Sequence, residues 1–294
     1  MKYALTNGVI LDGAKDMQPQ TGKTVLIDGE KIAAIVPDSA GISGYTPINL
    51  KGKYLMPGLI NMHVHLAGNG KPQKKQRDNE ALVKKIMASG LTRAVAYKMV
   101  RDFAKLELLS GVTTIRTVGG LGNFDTRLRG DIAAGRAAGP RILAANQGIS
   151  VPGGHMAGSV AIAAHSPEEA LKILAQAESE GVDLVKLMIT GGVLDAKEKG
   201  VPGELKMPPE MVRAVCDEAH RLGYTVAAHT ESPEGVKVAL ENGVDSIEHG
   251  AKMDEQTIRL YQERGAFVCT TISPALPYAL FDTAVSGASE KDQY

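Results

Sequence analysis

The chain has little that would tie it to a membrane, to nucleic acid or to an oxidising compartment. It has no excess charge of either sign, with 33 basic and 33 acidic residues. That balance argues against nucleic acid or an anionic membrane as the main partner. No stretch of about 18 apolar residues occurs, so nothing is expected to span a bilayer. The opening Met1-Lys2-Tyr3-Ala4-Leu5 lacks a long apolar core and a small-residue cleavage site, and no signal peptide is expected. The two cysteines, Cys216 and Cys269, show no metal or redox spacing. A reduced, cytoplasmic setting is the default, with both thiols buried and inert. Aromatics are scarce at 4%, glycines number 33, and the balance fits a soluble α/β enzyme. A length of 294 residues holds one large domain and a small appendage.

The first fifty-odd residues read as short strands over 3–11, 24–28, 31–36 and 46–50, separated by turn signals such as Asp28-Gly29 and Pro37-Asp38. From Tyr54 onward, strand and helix alternate. Strands are expected at 59–65, 113–118, 141–147, 184–189, 225–229, 246–249 and 267–273, with helices such as 167–180, 208–221, 233–241 and 254–264 between them. Ser166-Pro167-Glu168-Glu169 and Ser232-Pro233-Glu234 each place an N-cap serine before a proline at the first helical position. Gly181, Gly223, Gly243 and Gly265 close helices. This rhythm implies a parallel sheet.

The chemistry begins at His63-Val64-His65, where the run Leu59-Ile60-Asn61-Met62 ends. A strand turns successive side chains to opposite faces, so the two imidazoles share one face and can reach one ion. Lys186, His229 and His249 follow at later strand ends. Ligand chemistry recurring at successive strand ends describes a metal site at one mouth of a barrel. His155, after two glycines in a loop, is a candidate catalytic and substrate-contacting group. Arg116 is a candidate contact for a substrate carboxylate and equally a candidate ion-pair partner. His165 and His220 read as structural. Thr190-Gly191-Gly192 only faintly suggests a phosphate loop, and no Gly-Lys-Ser/Thr ending follows, which argues against a nucleotide site.

Leu55-Met56-Pro57-Gly58-Leu59-Ile60-Asn61-Met62-His63-Val64-His65, Gly111-Val112-Thr113-Thr114-Ile115-Arg116, Gly153-Gly154-His155, Val185-Lys186, Ala228-His229-Thr230 and Ile247-Glu248-His249-Gly250 stand in this order along the chain. Together they resemble the metal-dependent amidohydrolase superfamily, in its imidazolonepropionase and Xaa-Pro dipeptidase-like branch. The resemblance implies an α/β (β/α)8 TIM barrel with two divalent metal ions, usually zinc. His63 and His65 would hold the more buried ion, His229 and His249 the other, and Lys186 would bridge both as a carbamate formed with carbon dioxide. An unmodified ammonium would repel a cation, so Lys186 serves only if neutral or carbamylated. Many relatives carry an aspartate where Thr117 stands here, so the polar network beneath the site differs.

An eighth strand, ending in the aspartate that accepts a proton, completes the family's barrel. Seven strands are counted here before the polar stretch 284–294. Residues 1–55 are therefore expected to form the N-terminal part of a small β-sandwich, and 56–294 a barrel of strands 1 to 7 lacking its eighth. The expected activity is hydrolysis of an amide C–N bond in a dipeptide, N-acyl amino acid or cyclic amide by a metal-bound hydroxide, since zinc lowers the pKa of bound water to about 7. Low activity is expected of a chain without the eighth-strand acid. The alternatives are a single-metal deaminase or cyclic imide hydrolase on the same fold, and an inactive metal-binding fragment. The partner is a small molecule, and a homo-oligomer stays open.

Overall fold

The computed structural model describes residues 1–68, 78–192 and 203–271. The chain divides into two compact units, Met1–Leu59 and Ile60–Tyr294. The smaller holds β1 (Lys2–Thr6), β2 (Val9–Ile10), β3 (Lys23–Asp28), β4 (Lys31–Pro37), β5 (Thr46–Asn49) and β6 (Tyr54–Leu55). Four strands form a sheet in the order β4-β3-β1-β5, and β2 pairs with β6. The single strand expected over 3–11 is two. Asn7 turns to a φ of 53° after β1. At Gly8 an added Cβ would lie 2.5 Å from Leu50 Cδ1, so the chain crosses Leu50 there without a side chain.

The larger unit runs through β7 (Leu59–Val64), α1 (Asn79–Met87), α2 (Gly90–Leu109), β8 (Val112–Thr117), α3 (Phe124–Ala133), β9 (Arg141–Ala144), β10 (Gly148–Ser150), β11 (Ala161–Ala163) and α4 (Pro167–Ser179). It continues with β12 (Leu184–Met188), α5 (Pro209–Arg221), β13 (Thr225–Thr230), α6 (Pro233–Glu241), β14 (Ser246–His249), α7 (Glu255–Arg264) and β15 (Phe267–Cys269). Its sheets have the orders β7-β8-β9 and β11-β10-β12-β13-β14-β15. They join where Asp183 N donates to Ala144 O at 2.8 Å and Asp183 Oδ2 accepts from Ala144 N at 2.8 Å. The pairs β8–β9, β10–β12, β12–β13, β13–β14 and β14–β15 are all parallel. Among the described residues, β7 and β15 each end their sheet with one edge free. The polar stretch 284–294, before which seven strands are expected, lies outside the described residues.

The capping signals act as the sequence suggests. Ser166 and Ser232 accept from Glu169 N and Gly235 N at 3.3 and 3.2 Å, which satisfies helix-start donors that would otherwise lack partners. Gly265 closes α7 at a φ of 64°, a conformation costly for a residue with a Cβ. Helix α5 turns Met211, Val212, Val215, Cys216 and Ala219 inward, all buried. Each large apolar side chain so buried contributes roughly 1.5–3 kcal/mol. Burial also pushes the Cys216 thiol up to about 12, which leaves it unreactive. The strand expected over 141–147 breaks at Asn146, which adopts a φ of 55°. Its amide accepts from Thr126 N at 3.1 Å and donates to Glu180 Oε2 at 2.8 Å. That side chain trades strand pairing for a local anchor.

Thr117 is buried at the end of β8, and Asp125 from the first turn of α3 is buried too. Among the described residues, neither Asp125 oxygen has a hydrogen-bond partner. Burial pushes this carboxyl up to about 6 from 3.8, and Thr117 offsets it only in part. An acid with a raised folded pKa destabilises the fold when ionised, so its stability contribution is full at low pH and falls through pH 3.8 to 6. A shift of this size corresponds to about 3 kcal/mol. Asp125→Asn should therefore raise the melting temperature, relative to the parent, more at pH 8 than at pH 4. Thermal unfolding at both pH values checks this, and an equal offset at both would contradict it.

Candidate metal centre

Strand alternation builds most of the site. In β12, Val185 and Leu187 join the core cluster that includes α5 residues, so Lys186 between them takes the opposite face. In β13, Val226 and Ala228 pack in the same cluster, and His229 shares the face of Lys186. In β14, Ile247 packs in that cluster, which leaves Ser246 and Glu248 on the face of His229. Alternation would then send His249 outward. Instead His249 adopts a φ of 69°, an uncommon conformation for a residue with a Cβ. The bend brings its ring within 4.6 Å of His229 and 4.7 Å of His63, centroid to centroid. Its Nδ1 lies 2.7 Å from Thr271 Oγ1.

Five imidazoles form one chain of contacts. His63 and His65 lie 5.0 Å apart by centroid, and His155 stacks on His229 at 4.0 Å and 10°. Gly192 permits that stack, because an added Cβ would lie 2.8 Å from His155 Cε1 and 3.0 Å from His229 Cε1. The other two histidines stand apart. His220 Nε2 bonds to Asp245 Oδ2 at 2.8 Å, and His165 offers its backbone N to Glu169 Oε2.

The partners of His63 and His65 fix their tautomers. His63 Nδ1 donates to Glu248 Oε2 at 2.7 Å, and His65 Nδ1 donates to Gly119 O at 2.9 Å. A carboxylate and a carbonyl only accept, so the network assigns both protons to Nδ1. The two Nε2 lone pairs therefore face each other at 3.2 Å. Burial pushes the His65 pKa down to about 3 and that of His249 to about 2. Burial also lowers those of His63 and His229. All four rings are neutral near pH 7, the form that ligates metal.

Lys186 is fully buried, and among the described residues its Nζ has no hydrogen-bond partner. Its charge would depress the pKa of His63, His65, His229 and His249 alike. Burial lowers its own pKa to about 8, so roughly a tenth of the amine is neutral at pH 7, against far less for an ordinary lysine. Gly148 leaves room for it, since a Cβ there would lie 3.3 Å from Lys186 Cγ.

Arg116 is buried, and its donors are engaged. Nε donates to Met62 O at 2.8 Å, one terminal nitrogen to Ser246 Oγ at 3.1 Å, and the other to Glu248 Oε1 at 2.5 Å. Ser246 Oγ donates to the same Glu248 oxygen at 2.6 Å. Burial alone would push the Glu248 carboxyl up. The His63 bond, the Lys186 and Arg116 charges and the Ser246 hydroxyl outweigh it, and Glu248 falls to about 2. The sequence reading gave Glu248 no role. A charged residue within an apolar strand covered on both faces needs a buried partner, and that signal was present in Ser246-Ile247-Glu248. A second acid was also passed over. Glu231 stands two residues beyond His229, and one donor atom from each of His229, Glu231 and His249 lies within 4.8 Å of the others.

Residues 54–280 match the amidohydrolase family. The chain belongs to that family. Its fold is a TIM barrel of mixed α/β content, the arc of parallel strands being the portion described. The resemblance to the imidazolonepropionase and Xaa-Pro dipeptidase-like branch holds. The amidohydrolase chain is 27% identical to an imidazolonepropionase of Mesorhizobium japonicum over 275 residues, 85% of this chain and 62% of the relative. It is 24% identical to an ochratoxinase of Aspergillus niger over 294 residues, 90% of this chain and 58% of the relative. A solved Xaa-Pro dipeptidase with methionine in its active site superposes with a TM-score of 0.77 at 31% identity, over 93% of this chain and 68% of that one. The chain thus spans about three-fifths of the length of these curated relatives. Among the described residues, no helix is long and apolar enough to cross a membrane.

Proposed function

We propose that the chain carries the centre of a metal-dependent hydrolase of amide C–N bonds, acting on a dipeptide, an N-acyl amino acid or a cyclic amide. The observation that carries this reading is the pair of Nε2 lone pairs facing at 3.2 Å. Two lone pairs at that distance repel unless a cation lies between or beside them, and the donor set of neutral imidazoles suits zinc. His63 and His65 would hold one divalent ion, and His229 and His249 the other. Lys186 would join them after its neutral amine adds to carbon dioxide, losing a proton and becoming a carbamate. The buried, unpartnered amine fits that change, since a carbamate between two cations resolves a polar group that otherwise lacks partners. Bound ions would supply a Lewis acid for the amide carbonyl and a water acidified to about pKa 7.

The remaining residues position the ligands. Glu248 and Gly119 O hold His63 and His65 in the ligating tautomer. We read Arg116 as the clamp on Glu248 and His155 as the group nearest the substrate. An eighth strand with its acid would fit between the edges that β7 and β15 leave free among the described residues. The smaller unit is read as part of a β-sandwich over 1–55, with the barrel from residue 56. A cytoplasmic location remains the reading from cysteine usage.

The test is metal analysis together with an assay on a panel of dipeptides and N-acyl amino acids. About two zinc ions per chain, with hydrolysis lost on chelation and restored by zinc, is the expected result. Undiminished hydrolysis after complete metal removal would refute the reading.

A further inference from the structure

One acid at the site has no place in the ligand set above. Glu231 follows His229 by two residues, the same spacing as His63 and His65, so an extended chain presents both on one face. Its Oε1 lies 3.8 Å from His229 Nε2, which also lies 3.2 Å from Gly191 O and so leaves Nδ1 as the ligating nitrogen when Nε2 carries the proton, and its side chain is only 13% exposed. One donor atom from each of His229, Glu231 and His249 lies within 4.8 Å of the others.

The backbone of Glu231 is closely held. Its N donates to Thr190 Oγ1 at 3.0 Å. Gly203 packs against it so tightly that an added Cβ would lie 2.4 Å from Glu231 O. Gly235 packs in turn on Thr190, where a Cβ would meet Cγ2 at 2.2 Å. Two glycines and a buried threonine thus fix where the carboxylate starts. Preorganisation of this kind serves a ligand better than a solvated surface acid.

We propose that Glu231 is a metal ligand, and that His229, Glu231 and His249 hold one divalent ion whether or not Lys186 is carbamylated. Two imidazoles and a carboxylate are a known three-ligand set for catalytic zinc, with a position left for water or substrate. The carboxylate gives the site a negative charge that two neutral imidazoles lack, so this ion does not depend on the carbamate. The inference rests on the metal-centre reading and deepens it: the ion at His63 and His65 needs the lysine bridge, and the other does not.

The experiment is equilibrium dialysis against Co2+ with the visible spectrum of the bound ion as a second readout. The set is the parent chain, Lys186→Ala, Lys186→Ala/Glu231→Gln and Lys186→Ala/Glu231→Asp, each checked for cooperative unfolding. The parent should bind two ions and Lys186→Ala one. Adding Glu231→Gln should weaken that one ion by more than about 100-fold, beyond the 10–100-fold typical of outer-shell partners. Glu231→Asp keeps the carboxylate and should retain the ion with an altered spectrum. A Lys186→Ala/Glu231→Gln protein that binds one ion with unchanged affinity and spectrum would overturn the proposal and leave the metal-centre reading intact. A parent that binds no ion would overturn both.

Discussion

Replacing Lys186 by alanine should reduce the bound metal from two ions per chain to one and lower kcat/KM on the order of 10³-fold, the scale of losing one electrostatic element of an active site. The reasoning starts from burial. Among the described residues the amine is fully buried without a hydrogen-bond partner. Unmodified, it is an unsatisfied group that costs stability. Carbamylated, it gains two anionic oxygens and partners for both. Short carboxylic acids such as acetate should restore part of the activity of Lys186→Ala by standing in for the missing carbamate. Lys186→Met, which keeps the chain length and drops the amine, should raise the melting temperature of the metal-free protein. A Lys186→Ala protein with two ions and parental turnover, in the absence of added acid, would contradict the bridge.

The second large effect is expected at Glu248. Its carboxylate meets Arg116 at 2.5 Å, Ser246 at 2.6 Å and His63 at 2.7 Å, and its side chain has no exposure. Glu248→Ala leaves the buried guanidinium without its counter-charge and His63 without its acceptor. Breaking a buried pair from one side costs about 3–5 kcal/mol, which corresponds to a fall in melting temperature of roughly 10 °C or more in a domain of this size. Metal at His63 and His65 should weaken by 10–100-fold as the ring loses its orientation. Glu248→Gln keeps the shape and should lose less. The parent should also weaken in acid. A carboxyl depressed from 4.5 to about 2 contributes stability above pH 4.5 that is lost as pH falls toward 2. Thermal unfolding of the three proteins from pH 3 to 7 checks both statements. A Glu248→Ala melting point within 2 °C of the parent would contradict the network.

Much of this architecture is legible in the sequence, because the parallel strands and their capped helices obey local rules. Ser166-Pro167 and Ser232-Pro233 start helices where their side chains satisfy backbone donors, and alternation in β12 and β13 puts Lys186 and His229 on one face. The pairing of His63 with His65 follows from the same alternation. What escaped has physical reasons. His249 was legible as a strand-end ligand, but the positive φ that turns its ring toward the others was not. Arg116 carried two readings because a guanidinium serves a substrate or a buried acid equally well, and only its partners decide. Glu248 adjoins His249 and Glu231 lies two residues beyond His229, and the use of each depends on contacts with other strands and loops. The breaks at Asn7 and Asn146 come from side chains that bond locally in place of the ladder.

The most direct measurement is anomalous diffraction at the zinc edge from crystals grown with zinc and bicarbonate. The account predicts two peaks, one at His63 and His65 and one at His229 and His249, with carbamate density continuous from Lys186 Nζ between them. Zinc bound away from these side chains, or a bare Lys186 ammonium beside two bound ions, would contradict it.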